Sequence, residues 1–250
     1  MDMKVLIAGE SWVTNSVHIK GFDQFTTCVY EEGVKWIKEA LEKANIEVDF
    51  MPNHLAPVHF PGSMQQLQDY DVVILSDIGS NTLLIHPETF TKSKITGNRL
   101  KAIKEFVAAG KGFAMIGGYM SFQGIDAKAK YKNTEIEEIL PVEMMPYDDR
   151  IEAPQGVNIE IIQQEHPIFF GIDREWPFFL GYNQLKAKDQ KSVLARCGED
   201  VFIAAWEYQK GRTFAFASDC SPHWGPPEFV NWQCYQKFWV NVVKWLAKEI

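Results

Sequence analysis

Asp219 and His223 stand four residues apart in Ser218-Asp219-Cys220-Ser221-Pro222-His223-Trp224, and no other pair in the sequence is better suited to chemistry. A carboxylate can orient an imidazole and stabilise its protonated form, which readies the ring for proton transfer. The same pair could serve structure alone, Asp219 capping the following turn and His223 bonding a loop carbonyl. Cys220 lies beside them and would be a nucleophile only with an exposed, acidified thiol. Neighbours leaving a strand point in different directions, so a semi-buried structural cysteine is the plainer role.

Three further segments carry polar or aromatic groups directly after apolar runs: Glu10-Ser11-Trp12, Asp77-Ile78-Gly79-Ser80-Asn81 and Gly117-Gly118-Tyr119. If those runs are parallel strands, ligands are expected beyond their C-terminal ends. Glu10, Trp12, Asp77, Ser80, Asn81, Gly117, Gly118, Tyr119, Asp219, His223 and Trp224 would then surround one cleft. Gly117-Gly118 allows close backbone approach, or only relieves crowding at a tight elbow. It is not a GxGxxG pattern, and no GxxxxGK[ST] loop occurs, so no nucleotide cofactor is expected. His18, His54, His59, His86, His166 and His223 form no HExxH set, and the four cysteines form no CxxC, so no metal is expected either.

The elements that must position these groups follow an alternating pattern. Lys4–Ala8, Ile46–Phe50, Asp71–Ser76 and Phe113–Ile116 read as strands, the third with the continuous apolar middle of a central parallel strand. A polar and aromatic loop spans Glu10–His18, and Val34, Ile37, Leu41 and Ala44 recur at helical spacing in a helix expected from about Val29 to Ala44. His54–Met64 reads as a Pro-rich loop, 99–109 as a helix and 135–140 as a short one. After Gly117-Gly118 the rhythm weakens, and strands are expected at 157–161, 178–182, 192–196, 201–206 and 213–217, the last two forming a hairpin. A final helix at about 229–248 carries Trp232, Tyr235, Phe238, Trp239, Val242, Val243 and Leu246. The expectation is an α/β chain with a mostly parallel sheet, in one domain over 1–250, with a β-rich insertion at about 141–212.

The 250 residues include 46% hydrophobic positions, which excludes a mainly disordered chain. A net charge of -8 without a basic block argues against nucleic acid and anionic membrane surfaces as partners. No uninterrupted apolar run reaches the roughly 18 to 20 residues of a spanning helix, and MDMKVLIAGES lacks the features of a secretory signal, so a cytoplasmic protein is expected. Eight Trp and 17 Phe can fill a core, line a pocket or cover a homo-oligomer interface.

KVLIAGES, DVVILSDIGSN, GKGFAMIGGYMSF and above all GRTFAFASDCSPHWGPPEFVNW, followed by the Trp-rich end, resemble the class I glutamine amidotransferase-like proteins and, more distantly, the ThuA-like proteins of sugar utilisation. The resemblance covers nearly the whole chain. It implies a flavodoxin-like three-layer sandwich. Active class I amidotransferases use a cysteine at the strand-to-helix elbow and a His-x-Glu pair near the end of the domain. The elbow here falls on Gly117 or Gly118, and Gly225 stands two places after His223, so conventional glutamine hydrolysis is not expected. The ThuA-like resemblance implies a small polar metabolite, a carbohydrate among the candidates, held by Asp77, Ser80, Asn81, Asp219 and His223 under Trp12, Tyr119 or Trp224. Two other readings stand beside it: a hydrolase or proton-transfer enzyme using Asp219-His223, and an oligomeric interaction module built on the final helix and the Trp224–Pro227 loop.

Overall fold

The computed structural model describes residues 3–250. Strand β1 (Lys4–Gly9) buries Val5, Leu6, Ile7 and Ala8 on both of its faces, as a central parallel strand does. The next segment departs from the expected loop and helix. Strands β2 (Ser11–Lys20) and β3 (Asp23–Glu32) pair antiparallel along their whole length around a turn in which Gly21 has φ +67°. Thr26, Thr27, Val29 and Tyr30 favour extended backbone there. Helical spacing takes over only at Val34, where α1 (Lys35–Glu42) begins and buries Ile37, Ala40 and Leu41.

Strand β4 (Glu47–Met51) returns beside β1. The Pro-rich segment holds the short helix α2 (Ala56–His59) rather than a loop throughout, and a second short helix, α3 (Met64–Leu67), begins at its last residue. Strand β5 (Val72–Ser76) is wholly buried, and α4 (Ser80–Leu84), α5 (Pro87–Lys92) and α6 (Arg99–Ala108) lead to β6 (Gly112–Ile116). Then come α7 (Glu135–Ile139), β7 (Val142–Met144), β8 (Arg150–Val157) and β9 (Glu160–Ile161), so the strand expected at 157–161 is divided between two elements. Strands β10 (Phe179–Asn183), β11 (Leu185–Ala187), β12 (Val193–Cys197), β13 (Asp200–Tyr208) and β14 (Gly211–Phe216) follow. The terminal helix is interrupted, with α8 (Pro227–Val230) separated from α9 (Tyr235–Leu246).

The main sheet runs β4-β1-β5-β6-β14-β13-β12-β9. Its first five strands are parallel, and β13, β12 and β9 extend it antiparallel. Helices α1 and α9 pack together on one side of the sheet, and α6 with α3, α4 and α7 on the other, giving a three-layer α/β sandwich of flavodoxin-like type. The C-terminal aromatics fill its core. Trp224 and Trp239 are fully enclosed, and α9 also buries Tyr235, Phe238, Val242, Val243, Trp245 and Leu246. The aromatic face of the final helix and Trp224 are therefore part of the core. Among the described residues no helix is long and apolar enough to cross a membrane.

One residue couples the 142–197 stretch to the β6 elbow. Asn183, fully buried at the end of β10, accepts the Gly118 N–H at 3.0 Å and donates to the Gly118 carbonyl at 3.2 Å and to Asp149 Oδ1 at 2.8 Å. Asp149 also accepts the amides of Gln123 and Gly124. Asn183→Ala strands these buried groups and is expected to cost about 2–4 kcal/mol of unfolding free energy by urea denaturation. A loss below about 0.5 kcal/mol, the size of an ordinary surface change, would contradict this role.

Candidate functional site

Adjacent parallel strands deliver one acidic residue after another to the same end of the sheet. Glu10 follows β1 with φ +42°, and Asp77 follows β5 with φ +46°, both in the left-handed region. Asp219 lies three residues beyond the end of β14. These turns are pinned by hydrogen bonds. The Glu10 amide donates to the Ser76 carbonyl, Asn53 Nδ2 donates to the Ser11 and Asp77 carbonyls, and the Asp77 amide donates to Ser121 Oγ. Ser121 in turn donates to the Ile116 carbonyl, which commits its hydroxyl to the elbow.

Glu10, Trp12, Asp77, Tyr119, Asp219, Ser221, Pro222 and His223 line a cleft of about 480 Å³. Glu10 is almost wholly enclosed, its carboxyl accepting from Ser76 Oγ at 2.5 Å and Ser221 Oγ at 3.2 Å. Burial, reinforced by the charges of Asp219 and Asp77, raises its pKa to about 8. Burial and the Asp219 charge raise Asp77 to about 6 against the opposing hydrogen bond from the Met120 amide. Asp219 is also shifted upward, chiefly by burial, while its bonds to His223 and the Trp224 amide pull the other way.

His223 Nδ1 lies 2.7 Å from Asp219 Oδ2, and 42% of the His223 side chain remains exposed, leaving its other nitrogen free to face the cleft. Burial acts to lower the imidazole pKa, but the bond to Asp219 and the surrounding carboxylates outweigh it and raise it. The ring is held edge-on to Tyr119 and stacked against Trp224. Glu152 fixes both neighbours, accepting from Tyr119 Oη at 2.7 Å and from Trp224 Nε1 at 3.1 Å.

The strand exits thus bring together Glu10, Trp12, Asp77, Tyr119, Asp219 and His223. Gly118, with φ +142°, passes between the acids, and a Cβ there would meet Asp77 Oδ1 at 2.9 Å and Asp219 Oδ1 at 3.0 Å. Gly117 sits behind it, where a Cβ would meet the Ala217 carbonyl oxygen at 2.3 Å. Four other expected residues do not line the cleft. Ser80 is turned into the core, bonding the Lys130 and Ala129 carbonyls through its hydroxyl and amide, and Asn81 follows it onto exposed α4 surface. Trp224 is buried behind His223. Cys220 is fully buried against Ser76, 3.9 Å away, and burial pushes its thiol well above the ordinary range, opposite to an activated nucleophile. Ser221 and Pro222, which also line the cleft, lie within the Asp219–His223 motif, whereas Glu152 and Asn183 carry no local sequence signal. Among the described residues no group of three or more His, Cys, Asp or Glu is arranged to hold a metal ion.

The family model described as "Putative glutamine amidotransferase" matches residues 4–248. The chain belongs to this glutamine amidotransferase-like family. Its fold matches the cytoplasmic protein STM3548 of Salmonella typhimurium at TM-score 0.93 and 47% identity, over 98% of this chain and 99% of that one. The cytoplasmic protein STM1381 of Salmonella typhimurium LT2 matches at 0.93 and 46%, with the same coverage. A ThuA-like protein from Parabacteroides merdae shares the fold at TM-score 0.59 and 12% identity, over 100% of this chain and 91% of that one. No curated protein matches the sequence.

The acid cluster has a thermodynamic signature. Folded Glu10 holds a proton up to about pH 8, whereas in the unfolded chain it loses it near 4.5, so stability falls as pH rises through that interval. His223, raised above 6.5, acts in the same direction, whereas His166, lowered to about 4 by burial, acts oppositely but only below 6.5. Melting temperature is therefore expected to fall between about pH 6.5 and about 8.5, and Glu10→Gln to flatten that fall. An unchanged slope in Glu10→Gln would show that the carboxyl is already ionised at neutral pH.

Proposed function

We propose that this amidotransferase-like chain binds a small, neutral, hydroxyl-rich metabolite of monosaccharide size in the strand-exit cleft and lacks conventional glutaminase chemistry. The observation that carries the reading is the convergence of Glu10, Asp77, Asp219 and His223 beneath Trp12 and Tyr119 in a cleft of about 480 Å³. Carboxylates accept hydrogen bonds from hydroxyl groups, and the aromatic rings suit the C–H face of a sugar. The volume is in the range of small-molecule pockets. Phosphorylated or carboxylated ligands would meet Glu10, Asp77 and Asp219 among the residues lining the cleft and no lysine or arginine there, which disfavours them.

The argument against glutaminase chemistry is steric as well as chemical. Gly117 and Gly118 supply no nucleophile, and a cysteine at either position would collide with the Ala217 carbonyl or with the Asp77 and Asp219 carboxyls. Ser121 is committed to the Ile116 carbonyl, and Cys220 is sealed in the core. The two Salmonella relatives are named as cytoplasmic proteins, which supports the same compartment for this chain.

Calorimetric titration with neutral monosaccharides and their phosphate esters tests the ligand class. Binding of a neutral sugar is expected, weakened at least about tenfold by Asp77→Asn, a loss of about 1.4 kcal/mol. Selective binding of the phosphate esters would overturn the reading.

A proton-transfer activity on the bound ligand is a second reading, favoured by the 2.7 Å Asp219–His223 contact with the far imidazole nitrogen left free. In heavy water, deuterium exchange into a carbonyl-bearing ligand is expected, followed by NMR. His223→Ala should abolish the exchange while Asp219-independent contacts retain binding. Equal exchange in the wild type and His223→Ala would remove the imidazole as the base.

A further inference from the structure

The β2–β3 hairpin is an arm anchored to its own molecule at its root, where Tyr30 meets His54 and Asn53 bonds Ser11. Among the described residues its strands pair with one another and with no other strand. Isolated two-stranded ribbons are marginal in water, and this one has ten residues in each strand. The cross-strand register puts Val13 with Tyr30, Asn15 with Cys28, Val17 with Thr26 and Ile19 with Gln24 on one face. Val17 is 61% exposed, Ile19 is 72% exposed, and Phe22 at the turn is fully exposed.

Charge is sparse on the arm. Between Trp12 and Tyr30 the charged residues are Lys20 and Asp23, with Glu31 and Glu32 closing β3 at the arm's root, in a chain with 25 Lys and Arg and 33 Asp and Glu. Depletion of charge together with enrichment in apolar and aromatic residues marks the centre of a protein interface rather than a solvated face. Beyond Glu31 and Glu32 at its root the arm carries one charge of each sign, so its outer part can approach a second acidic molecule without the repulsion that a net charge of -8 would otherwise bring.

We propose that the occupant is a second copy of this chain, each arm laying its Val13, Val17 and Ile19 face across the other copy beside α2. Ten residues at about 3.3 Å each make the arm about 33 Å long, and two strands with their side chains are about 10 Å wide. Two reciprocal arms, each covering an equal area of the other molecule, would remove about 1,300 Å² from water, within the range of about 1,200–2,000 Å² for stable interfaces. Packing the two arms only on each other would give about half that area. The body beside the arm's root has an apolar surface to receive it. Tyr30 meets the His54 ring edge-on, and Leu55, Val58 and Ile85 are exposed on the adjoining α2 and α4 region.

The test is molar mass in solution by sedimentation at micromolar protein, in reducing buffer so that exposed Cys28 cannot cross-link. The wild type is expected to be a dimer. The arm variant Val17→Asp/Ile19→Asp and the body variant Val58→Asp are each expected to weaken self-association at least a hundredfold, leaving the near-ultraviolet circular dichroism of the core unchanged. The two variants change opposite sides of the contact and different parts of the fold. A monomeric wild type, or a dimer that survives either variant, overturns the proposal.

Discussion

The arrangement turns on burying acidic groups at the ends of adjacent strands with a single imidazole hydrogen-bonded among them. Desolvation resists ionisation of Glu10, Asp77 and Asp219, and their mutual repulsion adds to it. The surroundings are built to tolerate this. Ser76 and Ser221 donate to Glu10, the Met120 amide donates to Asp77, and His223 with the Trp224 amide serves Asp219. Glycine is required where the acids crowd the backbone. Gly118 passes between Asp77 and Asp219, and a Cβ on Gly33 would lie 2.5 Å from Glu10 Oε2.

The same crowding accounts for the divergence from amidotransferase chemistry. A strand-to-helix elbow is retained after β6, but the space a nucleophilic side chain would need is occupied by carboxyl groups from neighbouring strands. Asn183 and Asp149, from the stretch that extends the sheet, hold the elbow from behind. What the family fold preserves is therefore a location for chemistry, while the groups gathered there suit hydrogen bonding to a neutral ligand and proton movement through His223.

The parallel strands were legible because burial on both faces imposes continuous apolar runs such as Val72–Leu75, and the strand ends then located Glu10, Asp77, Asp219 and His223. The arm was not. Exposure on both faces removes the alternation that burial enforces, so the sequence pattern alone does not mark where the strand ends and the helical spacing that begins at Val34 takes over. Ser80 and Asn81 were misplaced for a different reason. They follow a strand end, but helix α4 starts at Ser80 and turns its hydroxyl toward the 129–130 backbone. Glu152 and Asn183 reach the site from distant sequence, and only tertiary pairing of β8 with β10 brings them near Trp224 and Gly118.

The most direct measurement is a pH titration of the side-chain carboxyl carbons by NMR in 13C-labelled protein, with resonances assigned through Glu10→Gln and Asp77→Asn. The expected result is a Glu10 carboxyl that titrates near pH 8 and an Asp77 carboxyl that titrates near pH 6. Titration of both below about pH 5, in the ordinary carboxylate range, would contradict the account. The cluster would then be ionised and compensated at neutral pH, and the cleft would suit a cation rather than a neutral hydroxyl-rich ligand.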